Sequence, residues 1–239
     1  MNILIVNHNT ELLVNALILN LENYGTFNIF IVDNSDGECM RLVETKHTIH
    51  LIDNTDGSYI NYKEEFDKVN SDKSLVCGGS FIHACTIQKF YDSTEEPFLL
   101  LDSDVILRKN PSEFIDMECL YSGEKSHNRI MPMVLYINTP KCKSKGIRFF
   151  DGRTICPIEP VDTGYVFFRD CEGKGPSKNF RILDVASHLG GSSYKMFCLP
   201  NYETVYKDPC EHSTKLAHQR FVYDNMAFIP NMDLLAEYY

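Results

Sequence analysis

The chain opens on short apolar blocks that each run into polar residues. Asn2 to Val6 reads as a buried strand that delivers Asn7-His8-Asn9 to a loop. Thr10 is a capping residue ahead of Glu11, and Leu13, Ala16, Leu17 and Leu21 then mark one helical face closed by Gly25. Asn28 to Val32 is a second buried strand, ending in Asp33-Asn34-Ser35-Asp36. A weaker helix is expected from Glu38 to about Lys46, with His47 and His50 solvated at the helix-to-strand edge, and Ile49 to Ile52 runs into Asp53-Asn54-Thr55-Asp56-Gly57. Alternating strands and helices, with polar residues after each strand, are the pattern of an α/β fold with a parallel sheet. Ligands of such sheets bind beyond the carboxyl ends of the strands, where these Asp and Asn clusters fall. Each cluster taken alone also has the composition of a turn.

Ser58 to Lys73 is polar and reads as a surface excursion. A helix is expected from Phe81 to Tyr91 with Ser80 as its cap. Phe98 to Leu101 is then a strand that runs directly into Asp102-Ser103-Asp104. A short helical stretch follows Pro111, and Ile130 to Ile137 reads as a strand with a proline near its edge. Further on, Asp162 to Phe168 is strand-like, Asp151-Gly152 has the look of a turn, and His188 opens a loop containing Gly190-Gly191. No repeat or linker-like tract divides residues 1–239, so a single domain is expected.

Composition narrows the class. With 44% hydrophobic and 12% aromatic residues, and only 13 Gly and 10 Pro, the chain is neither disordered nor collagen-like. A net charge of −10 supplies no long-range attraction to phosphate backbones, so nucleic acid is not an expected partner. An anionic small molecule would need a local device to hold it, such as a metal ion. The nine cysteines are odd in number and form no C-x-x-C pair, which fits reduced thiols in the cytoplasm. The amino terminus lacks the basic and apolar regions of a signal peptide, and no run reaches the ~18 apolar residues of a membrane span. Leu234-Leu235 and Tyr238-Tyr239 would suit either core packing or peripheral docking to lipid or another subunit.

Asp102 and Asp104 are the sharpest chemical signal. Carboxylates two residues apart on extended chain share one face, so both can approach a single hard cation. At the end of a central strand, that cation would lie against a diphosphate and neutralise leaving-group charge.

Several segments together resemble the GT-A glycosyltransferases, in particular their large family 2-like group. They are Val6-Asn7-His8-Asn9, Val32-Asp33-Asn34-Ser35-x-Gly37, Gly79-Ser80 with His83, and Leu101-Asp102-Ser103-Asp104. They continue in Arg129-Ile130-x-Pro132, Gly146-Ile147-Arg148-Phe149, Asp162-Thr163-Gly164 and His188 with its Gly-rich run. The combination is similar to small bacterial transferases that build surface polysaccharide. The resemblance implies a single GT-A domain, Rossmann-like, with a mostly parallel central sheet flanked by helices. Its nucleotide-binding half would cover about 1–107 and its acceptor half about 108–239.

It also implies a UDP- or GDP-type sugar donor and a glycan or lipid-linked acceptor, with work at the inner face of a membrane. Asn7, His8, Asn9, Asp33 and Asn34 would line the nucleotide pocket, with Ser80, His83, Asp102 and Ser103 toward the donor. His83 reads more readily as a partly buried helix residue. Asp102 and Asp104 would hold Mn²⁺ or Mg²⁺, with His188 completing the set. An inverting transfer needs a base for the acceptor hydroxyl, for which Asp162 is the candidate and Asp151 the second. Many relatives carry Glu-Asp where this chain has Val161-Asp162, and the absence of Trp removes the motif of processive members, which favours addition of one sugar.

Other classes fit less well. A haloacid-dehalogenase-like phosphatase would carry Asp102-Ser103-Asp104 on its first strand, and three strands precede it here. A nucleotidyltransferase or a dinucleotide-binding oxidoreductase would place a Gly-rich loop after the first strand, where Asn7-His8-Asn9-Thr10 stands. A sugar-binding module without catalysis would tolerate loss of the carboxylate pair, and both members are present. A retaining GT-A transferase uses the same carboxylates and late histidine.

Overall fold

The computed structural model describes residues 1–68, 78–126, 129–151, 163–189 and 211–239, without the side chains of 78–80 and 211–215. The first strand, β1 (Asn2–Asn7), leads through α1 (Glu11–Leu21) to β2 (Asn28–Asp33) and β3 (Thr48–Asp53). Then come α2 (Tyr62–Asp67), α3 (Gly78–Ser93), β4 (Phe98–Asp102), β5 (Val105–Leu107) and α4 (Pro111–Phe114). β6 (Tyr121–Ser126), β7 (Arg129–Ile137), α5 (Thr139–Ser144) and α6 (Tyr165–Cys171) follow. The last elements are β8 (Ser177–Asn179), α7 (Ile182–Val185), β9 (Ala186–His188) and α8 (Glu211–Asp224), before two short 3₁₀ turns.

Seven strands form one sheet in the order β3-β2-β1-β4-β7-β6-β8, and β5 pairs with β9 in a separate ribbon. The β3, β2, β1 and β4 strands run parallel, β7 is antiparallel to both its neighbours, and β8 is parallel to β6. The fold is α/β, with a mostly parallel central sheet flanked by helices.

β1 is apolar throughout because both of its faces are covered. Ile3 and Ile5 pack with α1, while Leu4 and Val6 pack with Ile87, Phe90 and Tyr91 of α3. Inside α1, Asn20 is fully buried. Its amide donates to the carbonyls of Leu107 and Phe228, and its Oδ1 accepts from Leu107 N at 2.8 Å, which fastens β5 to the helix.

Three expectations from the sequence need correction. Residues 38–46 form no helix. Their backbone groups bond to side chains instead: Met40 N donates to Asp33, Val43 N to Asn15 Oδ1, and Asn15 donates to Arg41 O. Burial of Met40 and Val43 against α1 holds the segment extended. The stretch ahead of Phe168 is helical from Tyr165, because Gly164 turns the chain with φ +96° as the helix cap. There, a β-carbon would lie 2.0 Å from the Ile130 carbonyl oxygen, so only glycine permits this approach. His47, expected in solvent, is buried between the Ile18 carbonyl and the Phe27 N–H.

Smaller differences follow the same logic. α3 begins two residues before Ser80, which therefore lies inside the helix. Pro132 is in a strand interior to the sheet, yet in the part of β7 beyond the β4 pairing and opposite the bulge of β6, where no ladder bond is lost. At the carboxyl end, Leu235 is fully buried and Tyr238 packs on the α1 cluster, so this tail contributes to the core. Among the described residues no helix is long and apolar enough to cross a membrane.

Candidate metal centre and substrate cavity

Parallel register brings the strand ends together. Asn7 pairs with Asp33, and Val6 with Asp102, so three polar strand ends meet along one edge of the sheet. Asp33 is wholly buried there and accepts four hydrogen bonds, from Asn7 Nδ2, Ser35 N, Ser35 Oγ and Met40 N. Burial raises the pKa of such a carboxyl, but the bonds from Ser35, Met40 and Asn7 outweigh it and hold Asp33 below its ordinary range. Its lone pairs are committed to organising the loops. The structure therefore does not bring Asp33 into contact with the cavity, and Asn7 is likewise buried at 1% exposure.

Asn7 Oδ1 accepts from both the N–H and the hydroxyl of Thr10, and the Thr10 and Ser103 hydroxyls share a further hydrogen bond at 2.8 Å. The start of α1 is thereby tied to the middle of the Asp-Ser-Asp segment. Asn9, with φ +57°, points toward Asp36 and exchanges two hydrogen bonds with it, away from the cavity. His8 and Thr10 are the residues of this loop that reach the cavity wall.

That cavity encloses about 720 Å³ above the carboxyl ends of β1 and β4. His8, Thr10 and Asn34 form one wall, and Ile82 and His83 of α3 form another. Asp102, Ser103 and Asp104 lie on the floor, with Arg129, Met131, Pro132 and Met133 of β7 and Thr163 beyond them. An adjoining space of about 400 Å³ shares His8, Asn34 and Ile82 and extends to Asn54, Asp56 and Tyr62. Both volumes are of the size of small-molecule sites. In the wall between them, Asn34 accepts from Asn54 Nδ2 and Tyr62 Oη and donates to Thr86, a buried network that fixes its amide.

Ligand atoms of Asp102, Asp104 and His188 all lie within 4.8 Å of one another. His188 comes from β9, which pairs with β5 so that Val105 faces His188, and Leu189 N donates to the Asp104 carbonyl at 3.0 Å. This ribbon sets His188 Nε2 3.0 Å from Asp104 Oδ1. On the other side, His83 Nε2 lies 3.2 Å from Asp102 Oδ1. Even so, Asp102 Oδ1 is buried without a hydrogen-bond partner. Burial pushes the Asp102 carboxyl above its usual range and Asp104 adds to this, while His83 and His188 oppose it. Two hard oxygen donors and an imidazole, with one oxygen buried and unsatisfied, fit a divalent cation.

His218 of α8 also lines the cavity, and no motif had singled it out. The signal was present as Ala217, Phe221 and Val222, whose spacing marks the inward face of a helix. Asp151 is not at this site. Its Oδ2 accepts from Arg169 Nη2 at 3.0 Å, and it borders a different cleft on the far side of α3 with Gln88 and Arg148. Asp162, the Gly190-Gly191 run and the Ser80 side chain lie outside the described residues, although Thr163, next to Asp162, lines the cavity.

No protein-family model matches the chain, and no curated protein matches it. Among solved structures it is similar to the galactosyltransferase LgtC in complex with donor and acceptor sugar analogs. That match has 15% identity over 60% of each chain, with a TM-score of 0.43. It is also similar to the glycosyltransferase GlyE of Streptococcus pneumoniae TIGR4, at 12% identity over 95% of this chain and 63% of that one, with a TM-score of 0.49. Mouse xyloside xylosyltransferase 1 matches at 10% identity over 76% of this chain and 86% of that one, with a TM-score of 0.37. The chain spans about three fifths of the length of the first two.

Proposed function

We propose that this protein is a metal-dependent GT-A glycosyltransferase, family 2-like in its motifs, that moves one hexose-type sugar from a nucleotide-sugar donor to a hydroxyl acceptor. The observation that carries the reading is the meeting of Asp102, Asp104 and His188, with Asp102 Oδ1 unsatisfied, on the floor of a donor-sized cavity. These three residues would hold Mn²⁺ or Mg²⁺, which when bound neutralises charge on the donor diphosphate.

The chain's own residues do the rest. His8 and Asn34 border the space that would take the nucleoside, and the committed hydrogen bonds of Asp33 keep that wall in place. Ser103, tied to Thr10, orients the Asp102–Asp104 segment. In the transfer, the bond from the anomeric carbon to the phosphate oxygen breaks with its electron pair remaining on that oxygen. The acceptor oxygen forms the new bond and gives up its proton to Asp162, the proposed base, with inversion at carbon. The setting is surface-glycan synthesis at the cytoplasmic face of a membrane, with a glycan or lipid-linked acceptor.

A second reading, transfer with retention and no protein base, is favoured by one fact. Among the described residues lining the cavity, the only carboxylates are Asp102 and Asp104.

Calorimetric titration of nucleotide sugars with and without Mn²⁺ tests the main reading. Wild type should bind one donor in a metal-dependent way, and Asp104→Asn should lose more than ~10²-fold in that affinity while unfolding at the same temperature. Unchanged metal-dependent binding by the variant sinks the assignment. Product stereochemistry by NMR decides between the mechanisms: inversion with at least ~10²-fold slower single-turnover transfer by Asp162→Asn supports the base, and retention removes it.

A further inference from the structure

The face of α8 that looks inward carries one residue whose chemistry the motifs leave unused. His218, Phe221, Val222 and Asn225 are spaced at i, i+3, i+4 and i+7, so they share one side of the helix and its end. Phe221 and Val222 are fully buried in the α1 cluster, which leaves α8 no freedom to rotate. Asn225 accepts from the Ser187 hydroxyl at 2.6 Å and donates to the Phe221 carbonyl at 2.8 Å. Ser187 is the residue before His188. The helix that carries His218 is therefore bolted to the strand that carries the third candidate metal ligand.

That bolt puts the His218 imidazole on the cavity wall with His188, Leu189 and Asp104. It is near enough for the Asp104 charge to act on it, and burial keeps its pKa below the ordinary histidine value despite that charge. A neutral imidazole offers one N–H donor and one acceptor nitrogen. The nucleoside end of the cavity, at His8, Asn34 and Ile82, is shared with the adjoining space, which His218 does not line. The part of a donor closest to His218 is thus the part held at Asp104, its diphosphate.

We propose that His218 is a phosphate-binding residue of this site, donating its ring N–H to the terminal phosphoryl group of a bound nucleoside diphosphate. This rests on the functional reading above and assigns the group a residue outside the carboxylate–histidine set. A donor aimed where negative charge grows as the sugar departs also contributes more in the transition state than in the ground state.

The experiment is calorimetric titration of the five common nucleoside diphosphates and their monophosphates, in Mn²⁺, on wild type, His218→Ala and His218→Gln. The glutamine supplies an N–H at similar reach. His218→Ala should lose about 10-fold or more for the diphosphate that wild type binds, the scale of a hydrogen bond to a charged group, with the matching monophosphate unchanged. His218→Gln should recover affinity to within about 3-fold of wild type. If the alanine variant does not fold, His218→Phe replaces it as the variant lacking an N–H. An equal loss for both nucleotides, no loss for the diphosphate, or glutamine no better than alanine overturns the assignment while leaving the transferase reading in place. If wild type binds none of the diphosphates, the transferase reading falls, and His218 with it.

Discussion

The two walls of the cavity are built in different ways. The wall from β1, β2 and α3 is a lattice of side-chain hydrogen bonds, with Asp33 holding Asn7, Ser35 and Met40, and Asn34 held by Asn54, Tyr62 and Thr86. The wall from β7, β9 and α8 stands mainly on close packing. Gly164 presses on the Ile130 backbone, Phe221 and Val222 fill the α1 cluster, and the Ser187–Asn225 bond links strand to helix. Polar lattices fix direction and are sensitive to charge, whereas packed contacts fix distance and are sensitive to volume. A site that orients a nucleoside on one side and closes a metal shell on the other, as proposed here, would use both.

The contrast can be broken first on the packed side. Gly164→Ala adds a β-carbon 2.0 Å from the Ile130 carbonyl oxygen at a φ of +96°. It should cost about 3 kcal/mol or more and lower Tm by roughly 6–12 °C, measured by calorimetry. A wild-type Tm for this variant would mean that the close approach of α6 to β7 does not exist. On the polar side, Asp33→Asn sets an amide against the Met40 N–H and removes a charged acceptor. A loss of about 1.5–3 kcal/mol in urea titration is expected, somewhat less than for Gly164→Ala, with nucleotide still raising Tm. Full stability with abolished nucleotide binding would instead return Asp33 to the ligand.

The smallest effect sharpens the picture by pH. Burial lowers the pKa of His47 from its ordinary 6.5, so the unfolded chain takes up the proton first. Stability should therefore fall as pH drops from about 6.5 toward 5, by at most about 1.4 kcal/mol per pH unit for one proton. Asp33 works in a lower window, since its depressed pKa means its contribution is lost only as pH falls through that value. His47→Gln should flatten the slope between about pH 5 and 6.5 and leave the acid limb in place. An identical slope in both proteins excludes His47 as its source.

What could be read from the sequence follows the same division. β1, α1, β2, β3 and β4 announce themselves because each is a local run of apolar residues with polar ends, and the Asp102–Asp104 pair lies on one of them. Residues 38–46 misled because helical spacing of apolar residues carries no record that Asp33, at the end of the preceding strand, and Asn15, distant in sequence, would take their backbone N–H groups. Asp33 itself was visible as a strand-end carboxylate, but its four donors come from three separate positions that only folding assembles. His218 was hidden for a different reason. A histidine on a helix gains meaning from what the helix faces, and α8 faces a candidate metal ligand through Ser187 and Asn225, 38 residues apart.

The β5–β9 ribbon has a consequence for the chain while it is being made. Both carboxylates are present once residue 104 has left the ribosome, but β5 has no partner strand until Ala186–His188 has been synthesised. At synthesis rates of about 5–20 residues per second, the interval between Asp104 and His188 lasts several seconds. Throughout that time a nascent chain offers an ion two carboxylates without the imidazole, and it lacks the helix that fixes the ribbon. Assembly is therefore scheduled: the candidate ligand set is complete only after residue 188, and its bolt to α8 follows only when Asn225 arrives.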